Sequence, residues 1–213
     1  MIILFDLDGT VIDSTEPIIT SFQHAFTSMS IEPPSRKDIM SQIGHPLDMM
    51  FENLEVPQDK VWDFVANYKA KYREVSFEGT FLIEGAKEAI KDADDFATLG
   101  VVTTKTSRYS AELLEYLGVM KYFKTLIGRE DVINPKPHPE PILKAIEEIA
   151  PEYDKSKIWM IGDTPMDIES AKAAGVRHVA VTTGYASEDI LTSISDYCVT
   201  SLPKAIELIK AKS

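Results

Sequence analysis

Two aspartates stand two residues apart at the end of the short apolar run that opens the chain, in the stretch FDLDGT at 5–10. Carboxylates about 4 Å apart repel by roughly 4 kcal/mol at the effective dielectric near a protein surface. A turn needs only one of them, because an Asp followed by Gly9 already suits a turn. Asp6 and Asp8 are therefore either a strand end with a turn or a pair of carboxylates that do chemistry, and the rest of the sequence has to decide.

Further polar residues follow other apolar runs at the points where those runs end. Thr103 and Thr104 follow one run, Lys136 lies in the loop NPKPHPEP, and Asp163 and Asp167 share the stretch GDTPMD. Each has a structural alternative, such as an exposed strand end, a solvated lysine or a helix N-cap. Ligands of open α/β sheets bind beyond the carboxyl ends of the strands. The joint placement of these residues predicts a site at that edge.

The elements that would position these residues alternate between strands and helices. Strand-like runs occur at 1–5, 98–104, 124–128, 157–162, 176–183 and 196–200. Helical patterns lie between and after them, near 85–95, 107–118, 139–149, 165–174, 187–194 and 203–212. Such alternation predicts βαβ units and a largely parallel sheet, which near-continuous apolar strands such as IWMI also require. The predicted fold class is α/β, with a doubly wound parallel sheet.

Residues 14–80 interrupt this alternation, because no buried strand is evident there. Apolar residues at 18, 19, 22, 25, 26 and 29 have helical spacing, as do those at 61, 64, 65, 68 and 72. Prolines divide the segment into about four helices. We therefore expect two domains, an α/β core formed by 1–13 with 81–213 and a helical insert at 14–80.

Composition limits the partners and the compartment. The 213 residues carry a formal net charge of -12, which argues against nucleic acid, whose phosphates are bound by clustered Lys and Arg. Cys198 is the only cysteine, which excludes an internal disulfide and fits a reducing compartment. The opening MIILF is too short for a membrane span and lacks the pattern of a signal peptide. We expect a cytoplasmic protein with no membrane partner.

Four motifs in chain order, FDLDGT, the strand VVTT, the PKP lysine and IGDTPMD, resemble those of the haloacid dehalogenase-like phosphohydrolases. The likeness extends over nearly the whole chain, and within the family it is greatest to the phosphoglycolate phosphatase-like group. The resemblance implies a Rossmann-like core and identifies the helical insert as the cap domain of that family. It also implies a phosphoric monoester hydrolase that acts on a small phosphorylated metabolite.

The resemblance assigns a role to each polar residue. Asp6 would attack phosphorus to form an aspartyl-phosphate, and Asp8 would protonate the leaving oxygen and then activate water. Thr103 would hydrogen-bond the transferred phosphoryl group, to which Lys136 would supply positive charge. Gly9 would let the backbone approach the phosphate closely.

The resemblance also implies a magnesium site. Asp6, the backbone carbonyl of Asp8, and Asp163 would bind the ion, and Asp167 would orient Lys136 or a metal-bound water. An acidic ligand set without cysteine and poor in histidine suits Mg²⁺.

The sequence departs from the family pattern in the second motif and leaves the cap undefined. Thr104 stands where the family commonly has Asn, which affects the predicted phosphate pocket, and His138 in KPHP is expected on a surface loop. Gly44 and His45, in GHPL between two helices of the insert, are candidates for substrate binding, with a helix-capping turn as an equal alternative. The substrate itself cannot be named from the sequence.

Three other functions fit the same residues less well. A sugar phosphomutase of this family usually carries a His soon after the DxDG motif, where this chain has STEP. An inorganic pyrophosphatase could use the same scaffold. A phospho-receiver also uses acidic residues, a Thr and a Lys around Mg²⁺, but receivers are about half this length and have no cap.

Overall fold

The computed structural model describes residues 1–150, 152 and 154–212, and it divides into two compact units. One unit contains residues 1–13 and 82–213, and the other contains residues 14–81. Within the described part of the chain, no helix combines the length and apolar character that a membrane span requires.

The first unit is built on a six-stranded parallel sheet with the strand order β5-β4-β1-β6-β7-β8. These strands are β1 Ile2–Phe5, β4 Thr98–Val102, β5 Phe123–Ile127, β6 Ile158–Gly162, β7 Arg177–Val181 and β8 Cys198–Val199. The short strands β2 (Ile12–Asp13) and β3 (Phe81–Leu82), which the sequence did not predict, pair with each other. The predicted α/β fold with a parallel sheet is confirmed.

Helices cover both faces of the sheet. They are α5 Ala86–Asp94, α6 Ser107–Tyr116, α7 Glu140–Ile149, α8 Pro165–Ala174, α9 Glu188–Ile194 and α10 Leu202–Ala211. Alternate residues of β1 point to opposite faces. Ile3 and Phe5 join a buried cluster with residues of α5 and α10, whereas Ile2 and Leu4 join one with residues of α7 and α8. Because β1 is buried on both faces, its sequence is a continuous apolar run.

The second unit contains four helices, α1 Thr15–Ser28, α2 Arg36–Gln42, α3 Leu47–Asn53 and α4 Val61–Gly79. Its interior is aromatic, because Phe22, Phe51, Phe64 and Tyr68 are buried and their rings pack at centroid distances of 4.5–6.2 Å. The helical spacing of apolar residues is therefore explained by a core of the unit's own. Whether this unit acts as a cap stays a prediction.

Candidate active site

The site lies at the carboxyl ends of three adjacent strands, as expected for an open α/β sheet. Asp6 follows β1, Thr103 follows β4 and Asp163 follows β6. Phe5 is in register with both Val101 and Ile161, so the three strands end within one residue of the same level. Hydrogen bonds extend the ladder past the strand ends, since the Asp6 N–H donates to Ile161 O at 2.8 Å and the Thr103 N–H to Ile127 O at 2.9 Å.

Lys136 joins two of the predicted carboxylates. Its Nζ donates to Asp6 Oδ1 at 2.7 Å, to Asp167 Oδ1 at 2.5 Å and to the backbone oxygen of Val102 at 3.1 Å. These three acceptors match the three N–H groups of an ammonium. Burial by itself would lower the pKa of Lys136, but the charges of Asp167 and Asp6 outweigh it and raise that pKa above its usual range. Lys136 is therefore a fixed buried cation.

Asp167 is fixed by the start of α8. Its Oδ2 accepts hydrogen bonds from the backbone N–H and the hydroxyl of Thr164, at 3.0 and 2.7 Å. This is a capping arrangement that satisfies the first turn of the helix. A Cβ on Gly162 would lie 2.3 Å from the Asp167 Cβ, so a glycine is required there. Asp167 therefore holds Lys136 with one oxygen and its own helix with the other.

Asp163 is fully buried and held by groups from two loops. Thr10 Oγ1 donates to its Oδ1 at 2.8 Å, and the Tyr185 N–H donates to its Oδ2 at 3.0 Å. A Cβ on Gly9 would lie 2.5 Å from Asp163 Oδ2, and one on Gly184 would lie 1.9 Å from the same atom. Two glycines thus leave room for this carboxylate, and Gly9 also has a φ of +85° that favours glycine.

Three buried carboxylates come close enough to hold a cation. Oxygen atoms of Asp6, Asp163 and Asp167 lie within 4.8 Å of one another. Burial, followed by the charge of Asp167, raises the pKa of Asp6 to about 7 despite the opposing effect of Lys136. Burial and the charges of Asp6 and Asp167 raise the pKa of Asp163 well above its usual value. The cluster therefore has an excess of negative charge that a divalent cation would neutralise, and carboxylate oxygens suit Mg²⁺.

The cluster differs in membership from the predicted ligand set of Asp6, Asp8 and Asp163. Asp167 is present in it, with one oxygen on Lys136 and the other on Thr164, and its role in orienting Lys136 or a metal-bound water stays a prediction. The Asp8 side chain is not part of the cluster. A backbone carbonyl ligand from Asp8 stays a prediction.

The carboxylate of Asp8 instead pairs with Lys105, a residue to which the sequence assigned no role. Lys105 Nζ lies 3.1 Å from Asp8 Oδ1 and 3.0 Å from Asp8 Oδ2, and each side chain is only 13% exposed. The signal available in the sequence was the position of Lys105, directly after Thr104 at the same edge of the sheet. Thr10 and Gly184 were also missed, because both act through contacts with Asp163 that are remote in sequence.

The remaining predicted residues fall into two groups. Thr103 is buried beside the site and its Oγ1 accepts from the Lys105 N–H at 3.1 Å, and Thr104 next to it is half-buried. Gly44, with a φ of +111°, and His45 belong to the helical unit, and burial lowers the pKa of His45. Their roles in binding substrate stay predictions.

Comparison with known proteins agrees with the fold. The family model described as haloacid dehalogenase-like hydrolase matches residues 3–181. Pyrophosphatase PpaX from Halalkalibacterium halodurans is 32% identical over 99% of this chain and 97% of its own length. Phosphoglycolate phosphatase from Escherichia coli is 31% identical over 86% of this chain and 81% of its own length. The solved structure of a haloacid dehalogenase-like hydrolase from Bacteroides fragilis is 25% identical, covers 96% of this chain and 98% of that chain, and gives a TM-score of 0.90.

The chain belongs to the haloacid dehalogenase-like hydrolase family, and the predicted resemblance is confirmed. Within that family its phosphatase-named relatives identify it as an enzyme of the phosphatase class.

Proposed function

We propose that the protein is a Mg²⁺-dependent phosphatase that hydrolyses a small phosphate monoester through an aspartyl-phosphate. The observation that carries this proposal is Asp6, a buried carboxylate at the end of the central strand with a buried ammonium 2.7 Å away. A nucleophile needs a fixed direction and an ionised state, and Lys136 favours both.

In the first step, a carboxylate oxygen of Asp6 forms a bond to phosphorus and the bond from phosphorus to the ester oxygen breaks. Lys136 holds Oδ1, which fixes the direction of the other oxygen. The positive charge of Lys136 also lies beside the phosphoryl group as negative charge develops on its oxygens. Thr103 Oγ1 accepts from the Lys105 N–H, so its own hydrogen is directed to another acceptor, which we assign as a phosphoryl oxygen.

Asp8 performs the proton transfers of both steps. The leaving oxygen departs with the bonding electron pair and takes a proton from the Asp8 carboxyl group. In the second step Asp8 accepts a proton from water, whose oxygen bonds to phosphorus as the bond to Asp6 breaks. The products are the free alcohol and inorganic phosphate, and both aspartates return to their starting state.

The residues present fit a Mg²⁺ ion, which would be held by the carboxylates of Asp6 and Asp163 and the backbone carbonyl of Asp8. When bound, Mg²⁺ would neutralise charge on the nucleophile and on the phosphoryl oxygens. The raised pKa values of Asp6 and Asp163 support this assignment, since a nearby cation would favour the ionised form of both carboxylates.

A panel of phosphate compounds assayed with Asp6→Asn tests the proposal. We expect hydrolysis by the parent enzyme in Mg²⁺, none in chelator, and inhibition by Ca²⁺, whose coordination is larger and looser. Asp6→Asn should lower kcat by several orders of magnitude because it removes the covalent nucleophile. The matched control is Asp94→Asn, an exposed aspartate at the end of α5. Turnover by Asp6→Asn within about tenfold of the parent, or full activity after chelation, would refute the mechanism.

Inorganic pyrophosphate belongs in the panel as a second candidate substrate. The relative named Pyrophosphatase PpaX matches nearly the whole of both chains. Pyrophosphate would be cleaved by the same steps, with phosphate as the leaving group. The ratio of kcat/KM for pyrophosphate to that for small monoesters decides between the two.

A further inference from the structure

Each of the two lysines of the site is paired with one of the two aspartates of the proposed mechanism. Lys136 contacts Asp6, the residue that receives the phosphoryl group. Lys105 contacts Asp8, the residue that serves the leaving group. The steps described above use the positive charge of Lys136 but assign no role to that of Lys105.

Lys105 lies in the loop between β4 and α6, and neighbouring groups hold its backbone in place. Its N–H donates to Thr103 Oγ1 at 3.1 Å and its carbonyl accepts from the Arg129 N–H at 2.9 Å. Gly128 packs against the same backbone so closely that a Cβ there would lie 2.6 Å from the Lys105 oxygen. A loop held from both sides places the ammonium at a defined point of the site.

The segment that follows Lys105 is fixed as well. Glu130 accepts from the Ser107 N–H at 2.9 Å and from the Ser107 hydroxyl at 2.8 Å, at the start of α6. Contacts from the loop after β5 thus hold the stretch 105–107 along its length. Such preorganisation reduces the entropy that a lysine side chain and its loop lose on binding an anion.

We propose that Lys105 recognises a second negative charge on the leaving group. The preferred substrates would then be phosphate compounds whose leaving group carries a carboxylate or a phosphate, rather than a neutral alcohol. This inference rests on the proposed function, because it uses the assignment of Asp8 to the leaving oxygen.

Distance and charge support this assignment. A leaving oxygen that hydrogen-bonds one oxygen of Asp8 lies next to an ammonium that is 3.0–3.1 Å from both oxygens of the same carboxylate. An anionic group one or two bonds beyond that oxygen is therefore within reach of Lys105. The chain has a net charge of -12, so an anionic leaving group needs a local cation to offset the overall repulsion. The low exposure of Lys105, 13%, keeps that attraction from being screened by water.

The test compares three substrates on the parent enzyme and on Lys105→Met, with Mg²⁺ present. The leaving group of phosphoglycolate carries a carboxylate. The leaving group of 2-hydroxyethyl phosphate has a similar length but no charge, and the leaving group of pyrophosphate is itself a phosphate. The parent should prefer at least one anionic substrate over 2-hydroxyethyl phosphate. Lys105→Met should lower kcat/KM for that substrate by about tenfold to a hundredfold, mainly through KM, because a charge-assisted hydrogen bond is lost.

Matched variants separate charge from structure. Lys105→Arg should retain most of the preference, and Lys105→Gln should lose it like the Met variant. Lys124→Met, which removes an exposed lysine of β5, should leave the preference unchanged. The substrate that loses most, phosphoglycolate or pyrophosphate, identifies the carboxylate or the phosphate as the recognised group.

Equal losses on all three substrates would overturn the inference, because Lys105 would then serve Asp8 alone. A parent enzyme that prefers 2-hydroxyethyl phosphate would overturn it as well. Calorimetry on Asp6→Asn, with and without Lys105→Met, compares the binding of the three substrates in the absence of turnover. A parent that hydrolyses nothing would refute the proposed function, while the binding preference would still decide the role of Lys105.

Discussion

Lys136 shows how single residues set the electrostatics of the site. Its ammonium is almost fully buried and binds two carboxylates, yet these and the neighbouring Asp163 leave the group negative overall. Removing one partner of a buried ion pair is strongly destabilising because it leaves an uncompensated charge. The same excess charge makes the site responsive to both protons and divalent cations.

The raised pKa of Asp6 predicts that the metal and protons compete. Asp6 has a folded-state pKa of about 7 against an ordinary 3.8. Between these values the metal-free native state binds more protons than the unfolded chain. The contribution of Asp6 to stability is therefore fully present below about pH 4, falls as the pH rises and is lost above about pH 7.

Binding of Mg²⁺ should restore the stability that is lost as Asp6 ionises. The effect should be stronger at high pH, where protons no longer compete with Mg²⁺ for the carboxylate. At a Mg²⁺ concentration about a hundredfold above Kd, Tm should rise by about 5–10 °C near pH 8 and by much less near pH 5.5. Thermal unfolding with and without Mg²⁺ at the two pH values measures the difference. Asp163→Asn is the control and should reduce the shift at both. Equal shifts in the parent protein would contradict the prediction.

At the scale of elements, the strand ends bring the residues together and the glycines of the adjoining loops leave space for them. Asp163 follows β6, and the loop after β7 folds against it through the Tyr185 N–H and Gly184. The sheet therefore sets the level at which the carboxylates lie, while the loops supply hydrogen bonds to Asp163 and leave space for it.

Gly184→Ala tests the role of that loop. Its Cβ would lie 1.9 Å from Asp163 Oδ2, so the carboxylate or the loop must move. We expect Mg²⁺ affinity to fall by about tenfold or more, in the range seen for changes around metal ligands. Calorimetric titration of Mg²⁺ provides the measurement.

Gly118→Ala is the control for this substitution, because its Cβ would meet nothing within 4 Å although its φ of +74° disfavours alanine. It should cost stability and leave Mg²⁺ affinity unchanged. Unaltered affinity in Gly184→Ala would show that the loop adapts without disturbing Asp163.

At the scale of the whole molecule, the α/β unit and the helical unit each have a core of their own. The α/β unit holds every residue to which the proposed mechanism gives a chemical step, and the helical unit has an aromatic interior of its own. We propose that the helical unit acts as a cap that contributes specificity, as in the family that the sequence resembles.

His45→Ala tests this proposal. The variant should change the order of kcat/KM values across the substrate panel, with less effect on a small generic aryl phosphate, because the chemistry uses residues of the α/β unit alone. Gln42→Ala, which changes a neighbouring residue of the same unit, serves as the control. A uniform loss on every ester would show that His45 is structural or catalytic instead.

The sequence predicted those features that depend on local pattern. The strands and helices of the α/β unit were predicted within a few residues, because apolar runs and helical spacing reflect burial directly. Asp6, Asp163 and Lys136 could be proposed as site residues because each stands at a strand end or in a recognisable motif. Lys105 and Gly184 were not assigned, because their importance lies in contacts with Asp8 and Asp163 across the fold. The very short strands β2 and β3 carry too few residues for a periodic signal.

The central position of β1 has a consequence for the order in which the chain can fold during synthesis. Ile2 pairs with Thr98 on one side and with Ile158 on the other, so β1 can complete its pairing only with two strands that are synthesised much later. Such long-range pairing is slow because the loop between the partners must close first. The helical unit closes shorter loops among residues 14–81 and can form while the sheet is still incomplete. Asp6 is thus synthesised long before Asp163, the carboxylate that lies close to it in the folded chain.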